Sequence, residues 1–358
     1  MKKVYVQAYL NNNLGDDLFI HMLVQRYKNI EFYICGNPRM TTCFKQYGNV
    51  HTCSKMHWIA LKIKRKIMGT EGPIIDQSAI DKCEAAIRIG GSIFIEYDKW
   101  EKNWVEFDMP YFIISANYGP ARSQDFHDLV ESKLKKTEGC CFRDMYSYKQ
   151  FMKLKNVSFA PDVVFGFNPY GIIEGNSNPK GIAISLIDLS SRKSLREYSE
   201  EYYSAIARVI DHFTSKAIPV TMISFCLKEG DKNAVMNVIN RCQSVTQIRT
   251  IDYDGNYIEV LRALESCDTV IATRFHAMVL GWIMGKNVVP IVYSNKQDNV
   301  MDDLSFKGPR FYIESLNGSS DDIICACEKR EGYIENIKVR ARESESQFAD
   351  FEEYCSRG

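Results

Sequence analysis

No stretch of this chain approaches the ~20 apolar residues that a membrane span requires. Lys2 and Lys3 lead into the run Val4–Tyr9, which is too short and too polar for a signal peptide, so the expected location is the cytoplasm. Net charge is also missing. The 45 basic and 45 acidic side chains cancel, which leaves no global positive field for nucleic acid and makes any anion site a local construction. Although there are 12 cysteines, no two form a C-x-x-C pair. Eight are scattered singly, Cys140-Cys141 are adjacent and Cys325-x-Cys327 is a C-x-C, a pattern that argues for structural thiols and against zinc; no metal is expected. There is neither a G-x-G-x-x-G nor a G-K-[ST], so no nicotinamide, flavin or other resident cofactor is expected.

What is present is an ordinary globular composition of 45% hydrophobic and 25% charged residues over 358 positions, enough for two domains. Strand-like and helical runs alternate in two successive sets. In the first, Val4–Tyr9, Ile30–Cys35, Ala85–Ile89, Pro110–Ser115, Cys140–Phe142 and Val157–Ala160 read as strands of a parallel sheet. In the second, Gly181–Leu186, Val220–Phe225, Gln247–Ile251, Asp268–Thr273 and Asn287–Val292 do so, with a helix whose apolar face runs from Tyr198 to Phe213. Residues 167–179, rich in Gly, Asn and Pro, read as a linker. The expected fold class is α/β, with two Rossmann-like domains facing a cleft: residues 1–170, completed by a C-terminal helix over 335–358, and residues 178–330.

The most informative segment is Thr273-Arg274-Phe275-His276-Ala277, where a buried strand hands over to an apolar helix. Free backbone N–H groups and the helix dipole favour an anion there, Arg274 adds a bidentate fork, and His276 can move a proton near neutral pH. The plainer alternative is that Arg274 pairs with a carboxylate and His276 only caps the helix. In open α/β sheets ligands sit beyond the carboxyl ends of strands, which draws attention to two further loops. Asn13-Leu14-Gly15-Asp16-Asp17 comes after the first strand, and Gly90-Gly91-Ser92 after another in the same domain. Turn and capping roles compete with ligand contact at both.

Taken together, Asn13-Leu14-Gly15-Asp16, Gly90-Gly91-Ser92, Gly119-Pro120, Arg143-Asp144-x-x-Ser147, Ala160-Pro161-Asp162, Arg274-x-His276-Ala277 and Tyr293-x-x-Lys296 occur in an order that resembles the polysaccharide pyruvyl transferase family. The resemblance implies a shape similar to B-type glycosyltransferases, with the donor held mainly by the C-terminal domain. It also implies transfer of a pyruvyl group from phosphoenolpyruvate, as co-substrate, to two hydroxyls of a saccharide during cell-surface polysaccharide biosynthesis. On that reading Arg274, Thr273, Lys296 and Arg192 bind the donor, His276 is the general acid and Asp16 the general base. Asn13, Gly15, Asp17, Gly90, Gly91, Ser92, Asp162 and Arg143 line the acceptor side or the cleft. The family often carries an Arg after a Ser-Leu pair at the start of the second domain, whereas this chain has Ser185-Leu186-Ile187, with Arg192 or Lys193 as substitutes from the loop.

One more feature lies outside those motifs. Residues Lys55–Met68 hold five Lys/Arg and no acid and, as a helix, would set Trp58 and Leu61 against a basic cluster. That suits docking at the inner face of the cell membrane, where a lipid-linked acceptor would be carried; the alternative is a helix with its apolar face in the core. A homo-oligomer is left open. Two other readings of the function also stay open: a B-type glycosyltransferase using a nucleotide-sugar, and a non-catalytic saccharide-binding relative.

Overall fold

The alternating apolar runs form two parallel sheets in the computed structural model, which describes residues 1–176 and 178–357. Ser177, inside the expected linker, and Gly358, at the end of the expected C-terminal helix, lie outside the described residues. The first sheet has seven strands: β1 (Lys3–Gln7), β2 (Glu31–Ile34), β3 (Val50–Thr52), β4 (Ala85–Ile89), β5 (Tyr111–Ala116), β6 (Gly139–Phe142) and β7 (Val157–Phe159). Their order is β3-β2-β1-β4-β5-β6-β7, with every pairing parallel. The second has six: β8 (Ile182–Ser185), β9 (Val220–Ser224), β10 (Ile248–Asp252), β11 (Thr269–Ala272), β12 (Asn287–Val292) and β13 (Phe311–Tyr312), in the order β10-β9-β8-β11-β12-β13. Both are Rossmann-like. Strand order reverses between β1 and β4 and between β8 and β11, so the loops after those strands are the natural ligand positions.

Central strands are buried along their whole length, as continuous Val/Ile/Ala runs require when helices cover both faces of a sheet. The short edge strands β3 and β13 escape a reading from periodicity because they are too brief to show one. Among the described residues no helix is long and apolar enough to cross a membrane.

The chain divides into two compact units. Residues 1–10, 16–166 and 340–358 make the first, and residues 11–15 and 167–339 the second. In the first, the C-terminal residues pack Phe351 against Tyr27 and Phe112, with centroids 5.2 and 5.4 Å apart. The boundaries differ from the expectation in three ways, the first being that the C-terminal helix expected over 335–358 is broken into Ile337–Glu343 and Ala349–Ser356, with residues 335–339 in the second unit. Residues 11–15 join the second unit, because the Leu14 N–H donates to the Phe225 carbonyl at 3.0 Å and Asn13 bridges Cys226. The expected linker also begins inside that unit: Phe167 and Ile173 are buried, and the Tyr170 hydroxyl donates to Glu265 at 3.1 Å.

Candidate functional site

In the second unit the parallel register of β8 and β11 sets Ser185 opposite Ala272, so the chain leaving one strand meets the chain leaving the other. Thr273 donates its N–H to the Ser185 carbonyl at 3.1 Å, and Arg274 donates its own to the Ser185 hydroxyl at 3.1 Å. Arg274, with extended backbone, is the N-cap of the helix Phe275–Ile283. Its side chain runs into a carboxylate cage. Nε donates to Asp231 Oδ2 at 2.9 Å, Nη2 to Asp231 Oδ1, and Nη1 to Glu229 Oε2 at 2.6 Å. Asp231 is fully buried and also accepts the N–H groups of Phe225 and Cys226, at 3.0 and 2.9 Å. Burial works against the Arg274 charge, but Asp231 and Glu229 outweigh it and keep the group fully protonated.

Around this cage the remaining cations gather. The loop after β8 folds back through the Ser190 N–H onto Asp188, at 2.8 Å, and brings Arg192 Nη2 to 3.2 Å from Glu229 Oε2. Arg192 thus reaches Glu229 from the loop, while Ile187 is buried in the apolar core of the unit. Arg192 Cζ stands 5.3 Å and Lys296 Nζ 5.4 Å from the centre of the Tyr293 ring, within cation–π range. Burial alone would raise Glu229, yet Arg274, then Arg192 and Lys296, hold its carboxyl below the usual range. Burial would likewise raise the Tyr293 phenol, but Lys296, Arg274 and Arg192 bring it below its ordinary value. Three cations thus gather on Glu229 and Asp231, with Asp188 close by Gly230.

Two of the expected donor contacts change character. Arg274 has a carboxylate on every guanidinium nitrogen, so the plainer alternative of an ion pair holds, with Asp231 buried and Glu229 half-buried; it acts as a strut. Thr273 is fully buried, its hydroxyl 2.9 Å from that of Tyr202 and its carbonyl accepting from Gln297 Nε2 at 3.1 Å, so it stabilises the junction from within. Arg192, with about a third of its side chain exposed, and half-buried Lys296 are the cations with access to solvent.

His276 lies on the first turn of the helix Phe275–Ile283. A Cβ built on Gly15 would stand 1.7 Å from its Nδ1, so only glycine allows the imidazole to lie there. Asn13 Oδ1 accepts the Gly15 N–H at 3.2 Å, which shapes the turn presenting that glycine.

The expected acceptor-side residues separate into two groups in the first unit. Asp16 is half-buried at the start of α1 (Leu14–Arg26), and a Cβ on Gly90 would be 3.6 Å from its Oδ1. Ser92 is exposed. The others are internal. Arg143 donates Nη1 to Asp162 at 2.9 Å and Nη2 to Asn117 at 2.7 Å, with all three residues buried. Its guanidinium lies against Gly91, where a Cβ would come within 2.3 Å of Cζ. Asp162 also accepts the Val164 N–H at 2.9 Å. Asp17 is fully buried; burial first, and the Asp17 charge second, push the Cys43 thiol up to about 12. Arg143, Asp162 and Asp17 are thus buried network residues rather than lining, because a charged group this deep is held by partners within the fold.

Reasoning from sequence missed Glu229 and Asp231. The acidic loop Cys226-Leu227-Lys228-Glu229-Gly230-Asp231, placed directly after β9, was the signal available.

Residues 13–295 match the family model for polysaccharide pyruvyl transferase. The chain belongs to the polysaccharide pyruvyl transferase family, a family of transferases. Among curated relatives it is similar to the amylovoran biosynthesis protein AmsJ of Erwinia amylovora, 22% identical over 264 residues. That match covers 66% of this chain and 63% of AmsJ. Among solved structures it is similar to UDP-GlcNAc 2-epimerase from Neisseria meningitidis bound to UDP-GlcNAc, at 11% identity and a TM-score of 0.61, covering 99% of this chain and 100% of that one. HepE of Anabaena in complex with UDP and glucose gives 10% identity and 0.56, covering 99% of each chain. MnaA of S. aureus with UDP gives 10% identity and 0.58, covering 93% and 92%. At these identities the likeness is one of fold, that of B-type glycosyltransferases and epimerases with two Rossmann-like domains.

Proposed function

We propose that the protein transfers the pyruvyl group of phosphoenolpyruvate to two hydroxyls of a saccharide, closing a cyclic ketal and releasing inorganic phosphate. The observation that carries this reading is the convergence of Arg192 and Lys296 on Tyr293, beside an Arg274 already held by its own carboxylates. Phosphoenolpyruvate sets a phosphate and a carboxylate on three carbons, and it needs two cations with a fixed spacing. An Arg fork and a Lys point charge serve that need differently. The name of AmsJ supports a role in building a saccharide.

In the chemistry we assign, the imidazolium of His276 gives its proton to the methylene carbon of the enol phosphate. A sugar hydroxyl adds to C2 as its proton passes to Asp16, the residue after Gly15 in sequence. The C2–O bond to phosphate then breaks, and a second sugar hydroxyl closes the ring with loss of its proton. Atoms balance as donor plus diol giving ketal plus phosphate. No step draws on a resident cofactor.

Calorimetric titration of the full chain with phosphoenolpyruvate tests the donor assignment. The intact protein should bind, and Arg192→Ala and Lys296→Ala should each lose roughly 10- to 100-fold in affinity, the worth of one charge-assisted hydrogen bond. If the intact protein ignores phosphoenolpyruvate and takes a sugar nucleotide, the reading gives way to glycosyl transfer. Silence with both leaves a saccharide-binding relative without a donor site.

We also propose that α2 (Lys55–Ile67) rests on an anionic lipid surface, where a lipid-linked acceptor would be met. None of its residues is buried, and Met56, Ile59, Ile63 and Ile67 form one exposed apolar stripe beside Lys62, Lys64, Arg65 and Lys66. Trp58 and Leu61, the apolar residues expected on this helix, are half-buried with His57 and turn toward the fold, so the exposed stripe is a second apolar side. Purified protein should co-sediment with phosphatidylglycerol vesicles at low salt and ignore neutral phosphatidylcholine ones. At ~1 kcal/mol per charge, Lys64→Gln/Lys66→Gln should weaken partitioning roughly 30-fold. Equal binding to both vesicle types, or to neither, would end the proposal.

A further inference from the structure

Parallel strands in register end at the same edge, and the residues just beyond their ends meet there. Ile34 of β2 pairs with Thr52 of β3, so the next residues, Cys35 and Cys53, stand side by side with their sulfurs 3.6 Å apart. Two further groups close on the pair from separate elements. Asp76, the N-cap of the short helix α3 (Gln77–Ile80), uses Oδ1 to accept the Ala79 N–H and the Ser78 hydroxyl, at 3.3 and 2.7 Å. Its Oδ2 turns the other way, to 3.9 Å from Cys53 Sγ and 2.6 Å from His57 Nε2. His57 is on the first turn of α2, whose N-cap, Ser54, comes directly after Cys53.

We propose that Cys35, Cys53, His57 and Asp76 form a binding site for a tetrahedral, thiophilic divalent cation, zinc being the fit. The donor set is two thiolates, one imidazole and one carboxylate oxygen, all drawn from the accepted ligands of that ion. With Zn–S bonds of ~2.3 Å, two tetrahedral thiolates sit about 3.8 Å apart, close to the spacing of these sulfurs. The Cys35, Cys53 and Asp76 donor atoms lie within 4.8 Å of one another. Asp76 and Cys53 are buried and Cys35 half-buried, so a charged thiolate there gains from a cation. His57 stands outside that set of three and reaches it only through Asp76, so its imidazole has to swing toward the thiolates and its Asp76 contact lengthen to about 3.3 Å as the metal takes the place between them. His57 can move with it, being on a helix without a buried residue.

The absence of a C-x-x-C argues against zinc in the sequence, and the fold removes the force of that argument. Seventeen residues separate Cys35 from Cys53 in sequence, yet neighbouring strand ends bring the thiols together as a C-x-x-C turn would. The site has a mechanical consequence too. Isolated helices as short as α2 are marginal in water, and this one has no fully buried side chain, only the half-buried His57, Trp58 and Leu61, to hold it. A metal through Cys53 and His57 would fix its first turn to α3 and the β2–β3 edge, leaving the exposed stripe presented.

Cobalt(II) titration of the full-length, reduced protein tests this directly. The expected result is one equivalent bound with a thiolate-to-cobalt charge-transfer band and tetrahedral d–d bands, all abolished by one equivalent of zinc. Cys53→Ser should lose about half of the charge-transfer intensity, and His57→Ala, at a position 41% exposed and tolerant of change, should weaken zinc by roughly 10- to 100-fold without altering the fold. Zinc should also slow amide exchange across residues 55–67. The proposal falls if no charge-transfer band forms in folded, reduced protein, or if the band survives in Cys35→Ser/Cys53→Ser. It also falls if mild oxidation joins Cys35 to Cys53 while the reduced pair ignores cobalt, which would make them a redox couple.

Discussion

Arg274→Ala should destabilise the second unit by about 3–5 kcal/mol, the usual cost of removing one partner from a buried ion pair. The variant leaves Asp231, with no exposure, and Glu229 without the guanidinium that neutralises them both. For a unit of this size that corresponds to a fall in melting temperature of roughly 6–20 °C, readable by scanning calorimetry. Arg274→Lys should recover only part of it, because a single ammonium cannot reproduce the fork that spans two carboxylates. The sign of the pH dependence comes from burial, which raises Asp231 even with Arg274 in place. Without the guanidinium that shift grows. A carboxyl whose folded pKa exceeds its unfolded value contributes stability below the unfolded pKa and loses it as pH rises through the folded one. The deficit of Arg274→Ala should therefore shrink as pH falls into the carboxylate range. A melting temperature unchanged by the substitution would show that the cage is hydrated and that Arg274 is not its strut. Arg274→Ala is for this reason a poor probe of donor binding by itself, and Arg192 and Lys296 are the residues to change.

The second large effect concerns His276, the proton donor of the proposed reaction. Loss of a general acid usually costs 10²–10⁴-fold, so His276→Asn should lower kcat by that factor with donor affinity altered only a few-fold. Gly15→Ala should lower kcat on the same scale although it deletes no functional atom, because the added methyl would occupy the space of His276 Nδ1. Within the first turn of α1 alanine is the better helix former by about 1 kcal/mol, so propensity alone would make this variant more stable, not less. Steady-state kinetics on both variants, monitoring phosphate release with a saccharide acceptor, separates the possibilities. Equal losses in kcat would tie catalysis to the position of the ring. Full activity in Gly15→Ala would remove His276, at its observed place, from the chemistry.

Much of this arrangement could be read from the chain alone. The two sets of β-α-β elements are written in runs such as Val288–Val292, whose burial on both faces requires continuous apolar character. The junction from Thr273 to His276 is local as well, since a strand, a cap and a helix succeed one another within a few residues. Even Arg192 could be nominated, because loop residues after the first strand of a Rossmann-like unit have few places to go.

What could not be read is every relation between residues distant in sequence but adjacent in space. The partners of Arg274 come from the loop after β9, more than forty positions earlier, and only the β10-β9-β8-β11 order brings them near. Their presence turns an expected anion clamp into a neutralised ion pair, which is why the proposed donor contact rests on Arg192 and Lys296. Arg143 and Asp162 change in the same way, from lining to a buried pair. Cys35 and Cys53 illustrate it most plainly, as their meeting depends on strand register and not on any local motif. Local sequence determines where strands and helices form because hydrogen bonding and burial of a periodic face act over a few residues. Which charges end up paired was decided by tertiary structure, because desolvation obliges a buried group to find its partner wherever the fold places one.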